Sequence, residues 1–322
     1  MRLLVTGAAG FIGSHFCERA VGKGYKIIGV DDFNDYYDPN VKRRNVEALA
    51  GNPLFRLVEA DILNTPLMEA VFQEHAFDAV IHLAARAGVR SSIREPMLYQ
   101  RVNVEGTVGL MERSVRHHIK KFILASSSSV YGNNNTIPFR EDANVDFPIS
   151  PYAATKRACE ILAYTFHVLY GLSVTCLRFF TVYGPRQRPD MAIHKFTRLI
   201  AEGKPIPVFG NGTTRRDYTY IDDILDGVER SLDRADGYAI YNLGESKTVE
   251  LQRLIQLIEQ ALRRKAVLQR LDEQPGDMPI TCADVSLAEK ELGYHPRVSI
   301  EEGIPRFIEW FSRQTAPRPG GA

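Results

Sequence analysis

Residues 3–14 of the chain read LLVTGAAGFIGS. A short apolar run passes into three glycines, Gly7, Gly10 and Gly13, spaced GxxGxxG, and a helical pattern opens at Phe11. Glycines at this spacing permit a tight turn, a close approach of backbone to a phosphate, and close packing of helix on strand. The free N–H groups and positive end of the helix then face any bound anion. Taken alone, the loop reads equally well as a tight turn. The segment that follows separates the two readings: roughly twenty residues on, a second apolar run, IIGVDD, ends in Asp31 and Asp32. An acid at that place binds the adenosine ribose hydroxyls of a dinucleotide and repels a 2′-phosphate, so the expected cofactor is NAD and not NADP. The expected cofactor residues are Gly7, Gly10, Phe11, Ile12, Gly13, Asp31 and Asp32. Asp61, Ile62, Leu83, Ala84 and Ala85 join them, because they follow the third and fourth apolar runs and ligands in such sheets sit at the carboxyl ends of the strands.

Working outward, short β-branched runs alternate with helical periods. Strands are expected at Arg2–Thr6, Lys26–Val30, Phe55–Val58, Ala79–His82, Lys121–Ala125 and Ser173–Arg178. Helices are expected at Phe11–Lys23, Leu67–His75, Met97–His118 and Tyr152–Tyr170. This rhythm predicts an α/β fold, a doubly wound parallel sheet of the Rossmann type. It weakens after Arg178, where Pro185, Pro189, Pro205, Pro207, Gly210 and Gly212 punctuate the chain. Shorter helices follow at about Ile193–Glu202, Ile221–Leu232, Val249–Leu262, Leu287–Leu292 and Ile300–Arg313. The expected organisation is an NAD-binding domain over residues 1–179, rejoined by about 216–243. A smaller C-terminal α/β substrate lobe spans 180–215 and 244–314, and a disordered Pro/Gly-rich tail covers 315–322.

The 322 residues are 44% hydrophobic and 25% charged, with a net charge of +1, so nothing predicts a nucleic-acid surface. No apolar run reaches membrane-spanning length, and the glycine-rich N-terminus is too short in apolar residues for a signal peptide. The four cysteines (Cys17, Cys159, Cys176 and Cys282) form no CxxC pair and read as reduced thiols of a cytoplasmic protein. The histidines are dispersed and no metal site is expected. His82 reads as a strand-end packing residue.

Two further stretches carry the chemistry. Tyr152 and Lys156 form YAATK, four apart on one helical face. A lysine ammonium one turn away, with a nicotinamide cation nearby, stabilises a phenolate and makes it a usable base. Residues 123–132 read ILASSSSVYG, four serines at the end of a buried strand, where a hydroxyl can bond the alcohol being oxidised and pass its proton to Tyr152. Ser127 stands four residues before Tyr131, and Tyr152 lies 25 residues beyond Ser127. In these features the chain resembles the extended short-chain dehydrogenase/reductase family, the nucleotide-sugar epimerases and dehydratases. That resemblance implies Ser127, Tyr152 and Lys156 as catalytic residues, with Tyr152 and Lys156 also touching the cofactor, and leaves Ser126 a structural role. Dehydratases of the family carry Asp-Glu after the catalytic hydroxyl, and its decarboxylases a Glu. Ser128 and Ser129 stand there here, which points to reversible oxidation and reduction, hence epimerisation.

The runs LRFFTVYGPRQRPDMA (177–192), GNGTTRRDYTYIDD (210–223) and QPGDMP (274–279) resemble the UDP-glucuronate 4-epimerases over residues 2 to about 312. A departure is Arg86 in HLAARAGVR, where a residue such as Gln is expected. The resemblance implies C4 epimerisation of a UDP-sugar through a 4-keto intermediate, with NAD kept bound and regenerated each turnover. It implies substrate contacts by Arg90, Ser127, Ser128, Thr181 and Arg188, pyrophosphate contact by Arg216, ribose contact by Asp277, and uracil contacts by Lys195 and Phe209. It also implies a homodimer built on helices at about 97–118 and 151–170. The alternatives are epimerisation of UDP-glucose or UDP-N-acetylglucosamine, decarboxylation of UDP-glucuronate, and a dinucleotide-binding sensor without catalysis. The intact set of Ser127, Tyr152 and Lys156 argues against the sensor.

Overall fold

Seven parallel strands build the main sheet: β1 (Arg2–Thr6), β2 (Lys26–Asp31), β3 (Phe55–Glu59), β4 (Ala79–His82), β5 (Lys121–Ser127), β6 (Ser173–Phe179) and, after an excursion, β10 (Tyr238–Leu243). The structure is a computed structural model and describes residues 1–134, 136–234, 236–272 and 278–315. The strand order is β10-β6-β5-β4-β1-β2-β3. The direction of winding reverses between β1 and β4, and a crevice opens there over the carboxyl ends of the strands.

Successive side chains of a strand point to opposite faces. Along β1, Leu3 and Val5 pack into one apolar layer and Leu4 into the other, all with no exposed surface. Helices Phe11–Gly22 and Ile221–Arg234 cover the first face, through Phe16, Cys17, Ile224 and Val228. Helices Thr65–Glu74, Gly106–Arg116 and Pro151–Tyr170 cover the second, through Phe72, Leu110, Met111, Cys159 and Ala163. A sheet buried on both faces needs apolar residues at consecutive positions, which is why these strands read as runs in the sequence. Each fully buried leucine or isoleucine contributes roughly 1.5–3 kcal/mol.

In the first half of the chain, two expected elements differ most. β5 does not stop at Ala125. It runs through Ser126 and Ser127, which pair with Arg178 and Phe179 of β6, and Ser128–Tyr131 then form a 3₁₀ turn. The neighbouring strand offers the ladder, and its hydrogen bonds outweigh the poor strand propensity of serine. The helix expected over Met97–His118 is broken into Pro96–Tyr99, a π-helical turn at Gln100–Glu105, and Gly106–Arg116. The catalytic-motif helix has orthodox ends. Ser150 accepts the N–H of Ala153 at 3.2 Å, Pro151 occupies the first turn, and Gly171 closes it at φ 69°.

The remaining strands make two small sheets. β7 (Thr181–Tyr183), β9 (Arg215–Tyr220) and β11 (Thr248–Glu250) form one, and β8 (Ile206–Phe209) with β12 (Leu268–Leu271) the other. Val249 therefore lies in a strand, and the helix expected from it begins at Leu251. The last helix, Ile300–Thr315, includes Thr315, and the tail beyond it lies outside the described residues. Among the described residues no helix is long and apolar enough to cross a membrane.

Candidate active site

At the crevice, the glycine loop leaves no room for side chains. A methyl on Gly13 would sit 2.0 Å from the Gly7 carbonyl oxygen, and one on Gly7, at φ 71°, would sit 2.8 Å from the Ala84 nitrogen. The loop is pinned from β2. The Gly7 N–H donates to the Val30 carbonyl at 2.8 Å, and Asp31 accepts the N–H of Ala9 at 3.1 Å and of Phe33 at 3.0 Å. Burial raises the Asp31 carboxyl above its ordinary value, and the Lys42 ammonium, 3.5 Å away, opposes that rise. Lys42 also reaches Asp32 at 3.7 Å. Two carboxylates against one buried ammonium leave this end of the cleft negative. That suits ribose hydroxyls and disfavours a phosphate on them. Narrow backbone, helix N-terminus and paired acids together fit a dinucleotide.

One continuous cleft brings together every residue expected at the cofactor: Gly7, Gly10, Phe11, Ile12, Gly13, Asp31, Asp32, Asp61, Ile62, Leu83, Ala84, Ala85, Tyr152 and Lys156. The same cleft is lined by Ser127, Ser128, Thr181 and Arg188. Among the described lining residues its carboxylates are Asp31, Asp32 and Asp61, at the end of β2 and just after β2 and β3. The serine, threonine and arginine end has none among the described lining residues.

At that end, Lys156 is buried and donates to the Ala125 carbonyl at 2.8 Å, which fixes its ammonium beneath the end of β5. Ser127 Oγ accepts the Ser129 N–H at 3.1 Å, so its proton is free to donate elsewhere. The Tyr152 ring meets Tyr99 edge to face at 6.3 Å. Ser126 points the other way and donates to Glu160 at 2.6 Å, a structural contact.

Asn103, in the π-helical turn, joins three parts of the site. Its amide accepts the Arg86 N–H at 2.7 Å and donates to the Arg86 carbonyl and to Thr155 Oγ1, each at 3.0 Å. Thr155 in turn donates to the Tyr152 carbonyl at 2.8 Å. The loop after β4 and the helix of Tyr152 are thereby tied to one buried side chain. Arg86, the departure noted in the sequence, has its backbone held in this way and its side chain along the cleft. His82 is buried between Thr6 (Nδ1, 2.7 Å) and Thr107 (Nε2, 2.9 Å). The Thr107 hydroxyl donates to the Asn103 carbonyl, so the network assigns the proton to Nε2. Burial, and then the charge of Lys156, lowers the His82 pKa to about 3. A neutral, doubly bonded histidine packs the strand end, as expected.

Arg188 lies across Tyr36, with its guanidinium 5.4 Å from the ring centre, and forms a two-point pair with Asp190 (Nε 3.0 Å, Nη2 2.8 Å). The other expected substrate residues that the structure describes, Arg90, Lys195, Phe209 and Arg216, are not among the cleft lining. Arg90 and Phe209 meet each other, the guanidinium 4.5 Å from the ring centre, joining the helix Val89–Arg94 to the end of β8. Arg216 is on β9 and Lys195 on the helix Ala192–Glu202. Asp277 lies outside the described residues. Sequence reasoning missed Tyr36, Lys42, Asn103 and Asp190. Lys42 sits in the basic run VKRRN, Tyr36 and Asn103 have no spacing that marks them, and Asp190 lies in the quoted RPDM run, two residues after Arg188, where its spacing was the signal available. Among the described residues no group of three or more His, Cys, Asp or Glu side chains could hold a metal ion.

The sequence profile of the NAD dependent epimerase/dehydratase family matches residues 3–244. The chain belongs to that family. A UDP-glucuronate 4-epimerase of Thermodesulfobacterium geofontis is 44% identical over 308 residues, covering 95% of each chain. The crystal structure of a Bacillus cereus UDP-glucuronic acid 4-epimerase in complex with UDP-glucuronic acid and NAD superposes with a TM-score of 0.93 at 36% identity, over 98% of this chain and 100% of that one. A Thermotoga maritima UDP-glucose 4-epimerase with UDP-glucose gives 0.91 at 32% identity, over 98% and 100%. In the terms of this family, the cleft has one end shaped for NAD and one end built of hydroxyls and a guanidinium.

Proposed function

We propose that the protein is an NAD-dependent UDP-sugar 4-epimerase that interconverts UDP-glucuronate and UDP-galacturonate. The observation that carries this reading is the composition of the reaction end of the cleft. Tyr152, Lys156, Ser127, Ser128, Thr181 and Arg188 line it; the carboxylates among the described lining residues stand at the other end, and Asp190, outside the lining, is tied to Arg188. Eliminating water from a sugar needs an added acid and base, and this end offers hydroxyls and a cation instead. The similarity to enzymes named for UDP-glucuronate supports the choice of sugar.

Bound NAD would supply the reversible removal and return of hydride at C4, held by the glycine loop, Asp31 and Asp32 at one end and by Tyr152 and Lys156 at the other. Tyr152 takes the O4 proton as the O4–H bond breaks, with Ser127 bonded to the same oxygen, and Lys156 stabilises the phenolate. Once the sugar has presented its other face, Tyr152 returns the proton to O4 with C4 inverted. The 4-ketone is β to the C6 carboxylate and would lose CO₂ if that bond aligned with the carbonyl π system. Ser128, Thr181 and Arg188 hold the carboxylate away from that alignment. Arg216, Lys195, Asp277 and the Arg90–Phe209 pair are proposed for the nucleotide half. We also infer a homodimer, because Ile161, Tyr164, Val168 and Leu169 leave an apolar strip exposed on the helix Pro151–Tyr170, and a cytoplasmic location, which the four free cysteines support.

The test is purified protein with UDP-glucuronate and no added NAD, followed by NMR and chromatography. UDP-galacturonate without CO₂ is expected. A UDP-pentose with CO₂, or turnover of UDP-glucose alone, would overturn the choice of sugar. Tyr152→Phe should lower turnover by about 10²–10⁴-fold while UDP-glucuronate still binds.

A further inference from the structure

The proposed reaction makes two opposed demands on Arg188. The carboxylate must be gripped, to keep it out of line with the ketone, and it must be let go, because the intermediate turns within the site. One contact in the structure bears on both. Asp190 occupies one edge of the Arg188 guanidinium, taking Nε–H at 3.0 Å and one Nη2–H at 2.8 Å. A guanidinium has five N–H donors in a planar fork, so the two on Nη1 and the second on Nη2 stay available as another two-point edge. The plane itself is held by the Tyr36 ring beneath it. Arg188 is mostly covered, with its side chain 20% exposed against 42% for Asp190. Burial works against both charges, and the mutual hydrogen bonds outweigh it: Arg188 is held more firmly protonated and the Asp190 carboxyl sits below its ordinary value. Both groups are charged at neutral pH, and the pair is net neutral.

We propose that Asp190 is a specificity-setting residue, which orients Arg188 toward an acidic sugar and weakens its hold to a strength the turning intermediate can break. This rests on the reading of the substrate as UDP-glucuronate. An unpaired, half-desolvated arginine would clamp a carboxylate strongly, because the attraction grows as the local dielectric falls. Paired with Asp190, it presents directional hydrogen bonds with little net charge. A carboxylate is still preferred over a hydroxymethyl group, by geometry more than by charge.

The experiment uses NAD-loaded enzyme in the Tyr152→Phe background, with and without Asp190→Asn, and measures binding of UDP-glucuronate and UDP-glucose by calorimetry. Asparagine keeps an acceptor for the arginine and removes the charge. The preference for UDP-glucuronate over UDP-glucose should rise about tenfold, since a negative charge near the carboxylate has gone. With Tyr152 restored, KM for UDP-glucuronate and kcat should fall together, because tighter ground-state binding opposes turning. Asp190→Glu, which keeps the charge, should stay near the wild-type preference. If Asp190→Asn does not fold, Asp190→Ser carries the same expectation. An unchanged or reduced preference, in protein that melts normally and retains its NAD, overturns the role of Asp190 alone. A parent enzyme that binds UDP-glucose better than UDP-glucuronate overturns the substrate reading, and the proposal with it.

Discussion

Arg178 and Glu160 face each other as a fully buried two-point ion pair, Nε to Oε1 and Nη2 to Oε2 both at 2.9 Å. Arg178 belongs to β6, and Glu160 lies two turns beyond Tyr152 on the same helix. Ser126 donates to the same carboxylate, so the strand that ends in Ser127 and the helix of Tyr152 and Lys156 share one anchor. Arg178 also donates to the Tyr131 hydroxyl at 3.0 Å, and Tyr131 to Asn242 at 2.7 Å, extending the network to β10. Arg178→Met removes the two-point partner of a buried carboxylate and leaves it Ser126 and Arg157, whose Nη1 is 3.3 Å away, so it should destabilise the fold by about 3 kcal/mol, the low end for a broken buried pair. Pairing it with Glu160→Leu should cost much less than the sum of the two single changes. Urea denaturation of the four proteins measures the coupling.

His82 gives stability a defined pH dependence. Its imidazole titrates near 6.5 when unfolded and near 3 in the fold. Between these values the unfolded chain binds the proton and the folded chain does not. The stability contributed by neutral His82 is therefore complete above pH 6.5 and is lost as pH falls toward 3, at up to about 1.4 kcal/mol per pH unit. His82→Asn removes that term, so its unfolding free energy should fall less steeply between pH 6.5 and 4.5 than that of the parent. Parallel urea titrations at several pH values read the difference.

Gly13→Ala tests the cradle. The added methyl would lie 2.0 Å from backbone, which has no side-chain freedom with which to yield. The loop must open, and most of the bound NAD should be lost from the purified protein. NAD released on denaturation and measured by chromatography, with thermal melting as a control for folding, checks this.

Arg186 links the two ends of the cleft. It holds a left-handed backbone at φ 63°, and its guanidinium reaches Glu18 at 2.6 Å and Ser14 at 3.3 Å on the helix that opens at the glycine loop. His15 adds a bond from Nε2 to the Pro185 carbonyl at 2.9 Å. Arg188, two residues on, faces the cleft. Arg186→Ala should raise KM for UDP-glucuronate through a loosened loop, and should be about 1 kcal/mol less stable than Arg186→Gly, which adopts that backbone freely. Kinetics and urea denaturation of the two variants separate the lost contact from the strain.

The sequence by itself determined the strands of the first half, the glycine loop, Asp31 and the Tyr152–Lys156 pair. Each of these depends on neighbours close in the chain: a doubly buried strand must be an apolar run, a phosphate cradle must be glycine followed by a helix, and two side chains four apart must share a helical face. The tertiary structure alone decided that β5 continues through Ser127, since only β6 beside it supplies the ladder. It decided that the helix after Pro96 winds into a π turn around Asn103, whose partners Arg86 and Thr155 lie 17 and 52 residues away. It decided that Arg90 rests on Phe209 and that Lys42 sits between Asp31 and Asp32. It also decided that Tyr36, 152 residues earlier in the chain, lies beneath Arg188. Hydrogen bonds and ring contacts act over a few ångströms, so a side chain's partner is whatever the fold carries to it, and spacing along the chain holds no record of that choice.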